Sequence, residues 1–232
     1  LAQNAPAVLL CVGLEEILES EGMDRSHMDL SMGQQKLFRE SAAVNSNVIL
    51  VLSGGAPFVM PDCSYRAAIH GYLSGQAGAI AMADALVGRV NPSGKLAETW
   101  PLKLEDTPCY RYYPGTGKTA QYREGLYVGY RYYDTAGVPV RYPFGYGLSY
   151  TTFDWKVTGF RANANTVTVN VKVTNTGKRA GKDVVQVYFS APYTKGGIEK
   201  SKIELAAYGK TGLLQPGKSQ TLTLTYKTDD MA

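Results

Sequence analysis

Cysteine and histidine are scarce in this 232-residue chain, with three of the first and two of the second. Cys11, Cys63 and Cys109 are odd in number and irregularly spaced. That excludes a disulfide framework, matches no metal-ligand pattern, and leads to the expectation of buried free thiols in a reducing compartment. His27 and His70 lie far apart and no Asp-x-Asp-x-Asp loop accompanies them, so no metal site is expected; His27 beside Asp29 reads as a polar loop contact. No apolar run approaches the ~18–20 residues that a membrane-spanning helix needs. Leu1 to Pro6 lacks a basic stretch, an apolar core and a small-residue cleavage site, so no signal peptide is expected and the chain reads as one entered midway. A phosphate-cradling loop is also missing. Ser53-Gly-Gly55 and Gly75-Gln-Ala-Gly78 are isolated glycine pairs without a Lys-Ser/Thr partner, which suits turns and helix packing. Cys63 and His70 lack an orienting third group, so they make no nucleophile pair.

What is present describes a folded globular protein. Hydrophobic residues form 44% of the chain and charged residues 19%, which argues against disorder. The net charge of +4 conceals an asymmetry. Residues 1–152 hold 12 Lys+Arg against 14 Asp+Glu, a net of −2, and residues 153–232 hold 12 against 6, a net of +6. The excess falls on turns and strand edges such as Lys195, Lys200, Lys202 and Lys210, where lysine keeps β edges soluble. Nucleic acid is not an expected partner.

The first hundred residues alternate short apolar runs with helical patterns. Ala7 to Gly13 suits a parallel strand covered on both faces, Asn47 to Leu52 a second buried strand, and Ala67 to Leu73 a third. Met32 to Val44 predicts a helix whose Leu37, Phe38 and Ala42 share a face, and Gly75 to Val87 a small-residue helix. This order indicates an open α/β layer with few strands, and part of such a domain is expected before residue 1. Asn91-Pro-Ser-Gly-Lys95 reads as a turn. Residues 101–150 show little periodicity but many tyrosines, which suits a segment that wraps between domains, each ring buried and each hydroxyl hydrated. From Phe153 the period becomes two. Thr166 to Thr174 puts its valines on one side, Asp183 to Ser190 is a strand, and Ser219 to Tyr226 alternates again. Asn175-Thr-Gly177 and Gln215-Pro-Gly-Lys218 are turns between them. The result is an antiparallel sandwich that would still need a closing strand. The domains expected are 1–100, 101–152 as the Tyr-rich linker, and 153–232.

The richest segment for chemistry is the acidic loop after the first strand, Gly13 to Arg25. In open α/β sheets, ligands sit beyond the carboxyl ends of the strands, and this loop leaves such an end. Glu15, Glu16, Glu19 and Glu21 repel one another unless they face water, bind a cation or include a proton carrier. A solvated acidic helix start explains the charges equally well.

Four segments then fall together: Glu19-Ser-Glu-Gly-Met-Asp-Arg25, Asn91-Pro-Ser-Gly-Lys-Leu96, Tyr122-Arg-Glu-Gly-Leu-Tyr-Val-Gly-Tyr-Arg-Tyr-Tyr-Asp134 and Tyr142-Pro-Phe-Gly-Tyr-Gly-Leu-Ser-Tyr-Thr-Thr-Phe153. In this order they resemble the glycoside hydrolase family 3 β-glucosidases, over nearly the whole chain. The resemblance implies the second half of the family's α/β sandwich domain followed by most of its fibronectin-III-like domain. It implies exo-acting hydrolysis of a non-reducing terminal β-D-glucosyl (or xylosyl) unit, with no cofactor. In that family a (β/α)8 barrel supplies the nucleophilic aspartate and the α/β sandwich lends the acid/base glutamate. The matching position here is Glu21, with Glu19 the alternative if the loop register differs; Asp24 and Arg25 belong to the same motif and, with Glu19, take substrate-binding or loop-ordering roles. No barrel and no Ser-Asp-Trp-type nucleophile segment occur in the chain, so the implied partners are the missing barrel and a β-glucoside or cello-oligosaccharide. The segments 210–217 and 228–232 resemble relatives that carry these domains ahead of the barrel. Homo-oligomerisation is left open. Two readings stand beside this one: a non-catalytic carbohydrate-binding or scaffold module presenting tyrosine rings, and a flavodoxin-like binder, which the missing phosphate loop weakens.

Overall fold

The computed structural model describes residues 1–115 and 117–231. The chain forms two compact units, Leu1–Val90 with Trp100–Gln121 and Asn91–Thr99 with Tyr122–Ala232.

The first unit is an α/β layer. Its elements are β1 (Val8–Gly13), α1 (Met32–Val44), β2 (Val48–Ser53), β3 (Ala67–His70), α2 (Gly78–Leu86) and the two-residue β4 (Trp100–Pro101). The sheet order is β1-β2-β3, all parallel, with Val8 opposite Val48 and Ile49 opposite Ala67. Val48, Leu50 and Leu52 of the central strand point into the core. β1 was expected to be covered on both faces. It buries Leu10 and Val12 but leaves Leu9 and Cys11 exposed, because alternate side chains leave a strand on opposite faces and only one is packed. Cys11 is therefore not the buried thiol the composition suggested; all three cysteines are free.

Helix α1 spans the predicted residues, yet its inner face differs from the expected one. Phe38 and Ser41 are buried while Leu37 is exposed. The face that turns inward is 34, 38, 41 and 45, the i, i+4, i+7 and i+11 positions of a 3.6-residue period. Its two polar ends are engaged, since Asn45 Nδ2 donates to the carbonyls of Ala2 and Ala5 at 2.8 Å each, and Gln34 grips Gly13. β3 ends earlier than its apolar run because Tyr72 takes φ +51, which no strand accommodates. α2 begins at Gly78 rather than Gly75.

The second unit contains α3 (Tyr130–Ala136), β5 (Val140–Tyr142), β6 (Phe153–Ala162), β7 (Thr166–Asn175), β8 (Val184–Phe189), β9 (Glu204–Lys210) and β10 (Ser219–Lys227). Helix α3 falls where the sequence shows no periodicity, and β9 (ELAAYGK) carries no alternation to announce it. One antiparallel sheet has the order β10-β7-β6 and the other pairs β8 with β9. Val167, Val169, Val171 and Val173 form the expected inner face of β7 and join Val185, Leu214 and Leu224 in the core. The Asn175 turn is fixed from within. Its fully buried amide accepts from Thr151 Oγ1 and the Gly177 amide and donates to the carbonyls of Arg179 and Leu214, which satisfies the whole side chain.

The sandwich is uneven, three strands facing two. Trp155, Val157 and Phe160 of β6 lie opposite Val173, Val171 and Val169, hence on the core side, yet they are 50%, 63% and 70% exposed. β8 faces β7 and β9 lies against β10; among the described residues no strand covers β6.

Candidate active site

The acidic loop leaves the carboxyl end of β1 under close control. Gln34, one turn into α1, accepts the Gly13 N–H and donates to the Gly13 carbonyl, both at 2.9 Å. The Leu14 amide then bonds the Ser53 carbonyl at the end of β2. A single 3-10 turn, Glu16–Leu18, carries the chain outward.

Residues 20–23 close a tight turn, with the Met23 amide directed to the Ser20 carbonyl at 3.4 Å. Gly22 stands at the third position with φ +79, the left-handed region that glycine enters without steric cost. This explains the Glu-Gly pair in the motif: the glycine lets the chain reverse, and the reversal sets Glu21 at the tip. Glu21 is exposed.

Both sides of the tip are tied to the segment that follows β2. Glu19 Oε1 accepts the Gly55 N–H at 2.6 Å, and Arg25 Nη2 donates to the Pro57 carbonyl at 3.0 Å. Residues 20–24 thus arch between two fixed points on one short stretch of chain. A third tie comes from further along: the Tyr113 hydroxyl donates to Asp24 Oδ1 at 2.7 Å. Asp24 and Arg25 each reach a different partner rather than one another. Beyond the loop, Val59 N–H bonds the Met28 carbonyl at 2.8 Å, so the return path is pinned as well.

The four clustered glutamates separate by function in the structure. Glu15 accepts from Gln34 Nε2 at 3.2 Å and Glu19 from Gly55, while Glu16 and Glu21 face water. Among the described residues no group of His, Cys, Asp and Glu could hold a metal ion. At the end of β3 lies an aromatic nest in which His70 packs 4.2 Å from Tyr72, 5.2 Å from Trp100 and 6.3 Å from Phe58, ring centre to ring centre. Burial pushes the His70 imidazole below its usual pKa, against a smaller opposing pull from the Leu52 backbone and from Glu19.

The other three motifs build the second unit. Leu96 exchanges backbone bonds with Gly145 and Tyr146 at 2.8 Å each, Lys95 Nζ donates to the Gly147 carbonyl at 2.7 Å, and Asn91 Oδ1 accepts from Ser149 Oγ and the Tyr150 amide. Residues 91–96 and 142–153 are thus two halves of one lock. In the Tyr122–Asp134 segment, Tyr130 stacks on Phe144 at 4.9 Å and its hydroxyl accepts the Leu205 N–H at 2.8 Å. Tyr188, packed edge-on against Tyr130, has its phenol pushed up to about 12 by burial.

Gly55, Pro57 and Tyr113 were not singled out from sequence. Gly55 carried a signal as part of a Ser-Gly-Gly turn; Pro57 and Tyr113 are distant in sequence from the loop they hold, and nothing local marks them.

Residues 1–150 match the glycosyl hydrolase family 3 C-terminal domain, and residues 183–232 match the fibronectin type III-like domain. The chain belongs to glycoside hydrolase family 3. It is 42% identical to the thermostable β-glucosidase B of Acetivibrio thermocellus over 97% of its own length and 30% of that protein's. It is also 42% identical to an exo-α-(1→6)-L-arabinopyranosidase of Bifidobacterium breve over 96% of its length and 30% of that protein's. The fold superimposes on a Kluyveromyces marxianus β-glucosidase crystallised with glucose at TM-score 0.91 and 35% identity, covering 99% of this chain and 28% of that one. The Bifidobacterium adolescentis family 3 β-glucosidase gives 0.90 at 40% identity, covering 97% and 33%. The chain spans about a third or less of the length of these relatives.

Proposed function

We propose that this chain contributes the general acid/base to a retaining, exo-acting β-glucosidase, and that Glu21 is that group. The observation that carries the reading is the arch itself. Glu21 sits exposed at the tip of a turn whose two flanks are tied to residues 55–57, while the carboxylate of Glu19 is spent as an acceptor for Gly55. A proton carrier needs this combination: an unengaged carboxyl and a backbone that does not wander.

Retaining hydrolysis requires a second carboxyl group about 5–5.5 Å away across the scissile bond. A (β/α)8 barrel supplies it in this reading, docked so that the arch faces the barrel's pocket. In the first half-reaction the barrel carboxylate bonds the anomeric carbon while the glycosidic C–O bond breaks and the Glu21 carboxyl gives its proton to the departing oxygen. In the second, the Glu21 carboxylate takes a proton from water, the water oxygen attacks the anomeric carbon, and the barrel carboxylate leaves. Asp24 and Arg25 order the arch.

The test uses the full-length enzyme that carries these residues. Glu21→Ala should lose most activity on alkyl β-glucosides and least on dinitrophenyl glucoside, whose leaving group needs no proton. Added azide should restore turnover of the latter and yield β-glucosyl azide. Wild-type rates on the alkyl glucoside would overturn the assignment.

A further inference from the structure

We infer that Tyr113 is a positioning residue for the acid/base turn, acting through Asp24. The inference rests on Glu21 being the proton carrier and adds a residue that no motif contains. Glu19 and Arg25 tie the arch to residues 55–57, the stretch that follows β2. These two bonds hold the feet of the arch, at residues 19 and 25, and engage no side chain between them. The Tyr113 hydroxyl supplies a tie within the arch, reaching Asp24 Oδ1 at 2.7 Å from a segment 89 residues away in sequence. A hydroxyl donating to a carboxylate at this separation is a charge-assisted bond, stronger than a neutral pair. Asp24 lies two residues past Gly22, so its side chain governs the exit from the turn that holds Glu21. The tyrosine ring gives the hydroxyl a long, stiff arm with only two side-chain torsions, whereas a serine lacks the reach and a lysine lacks the stiffness.

The consequence is kinetic rather than structural. A bond between exposed groups contributes little to folding, whereas a misplacement of about 1 Å in a reacting group costs rate on the order of a hundredfold. The experiment compares Tyr113→Phe, Asp24→Ala and the double variant in the full-length enzyme, with Glu21→Gln as reference, across aryl glucosides of rising leaving-group pKa. Tyr113→Phe should lower kcat/KM on the poorest leaving groups about tenfold and on the most activated by less than about twofold, with unchanged Tm. In the Asp24→Ala background the same change should have no further effect. A uniform loss across the series, or a full second loss in that background, would overturn the role of Tyr113. If Glu21→Gln itself shows no dependence on the leaving group, the acid/base reading fails and the inference falls with it; if Glu21→Gln shows the dependence and Tyr113→Phe does not, Tyr113 alone is dismissed.

Discussion

Glu19 and Gly55 meet carboxylate to amide at 2.6 Å, where residue 55 has no side chain. A Cβ built there would lie 2.9 Å from Glu19 Oε1 and 3.1 Å from Leu73 Cδ1, both ends of flexible side chains. An added carbon therefore crowds the very carboxylate that holds the acidic loop, and the carboxylate is free to turn away from it.

Gly55→Ala tests that contact. The ends of Glu19 and Leu73 must swing aside, which disturbs the tie at little cost in stability. The expected result in the full-length enzyme is a loss of kcat on poor leaving groups well beyond the change in thermal midpoint. An unaltered kcat would show that the Glu19 tie has no bearing on the arch.

Gly22→Ala separates backbone strain from crowding. No atom lies within 4 Å of the added Cβ, so the whole penalty comes from φ +79, about 1–2 kcal/mol. Urea titration of the purified chain should show a lower midpoint with the slope unchanged, the slope multiplied by the midpoint shift giving that penalty. If the midpoint holds, the turn does not need its glycine.

The histidine nest predicts how stability follows pH. Because burial lowers the folded pKa of His70, the native state binds that proton less readily than the unfolded chain does. Protons therefore favour the unfolded state as pH falls below the unfolded value of about 6.5, and stability declines from there down through the depressed folded pKa. Denaturation curves at pH 7.5 and pH 5.5 should differ, and the difference should shrink in His70→Phe. An equal pH dependence in that variant would remove His70 as the source.

In the second unit, Lys95 and Asp183 pair at 3.3 Å with both side chains largely withdrawn from water, and Asp183 also accepts from Trp155 Nε1 at 2.9 Å and the Val184 amide at 3.0 Å. Lys95→Met strips the cation from a carboxylate that stays buried, a loss of about 2–4 kcal/mol. Chemical denaturation measures it directly, and a change under about 0.5 kcal/mol would mean that Trp155 and the backbone suffice.

The 232-residue chain alone should hydrolyse no aryl β-glucoside, because general acid catalysis without the attacking carboxylate leaves the glycosidic bond intact. Release of nitrophenol above the buffer rate, retained after gel filtration, would show that a nucleophile resides within these residues.

The sequence made the parallel strands legible because Val48–Ser53 and its neighbours are apolar runs bounded by turn residues, and β7 because its valines alternate without a break. It hid α3, whose YRYYDTA sequence has no apolar stripe and is held by contacts of Tyr130 and Tyr133 rather than by propensity. It hid β9 as well, since a strand partly buried along most of its length loses the alternation that would mark it. At the site, the sequence marked the acidic loop and its Ser-Glu-Gly-x-Asp-Arg motif, but not the tight turn within it or which glutamate was engaged. That depended on a backbone amide at residue 55, and the third tie on a tyrosine 89 residues away. Local pattern reports local geometry; it does not report which distant segment a loop leans on.

The bare flank of β6 has a practical consequence for anyone handling this polypeptide in a tube. Trp155, Val157 and Phe160 leave an exposed apolar face on β6, which stands last in its sheet order among the described residues, the kind of surface that invites a neighbouring molecule to pack or pair there. Sedimentation should grow faster with concentration, and a lysine at position 157 should keep the particles apart.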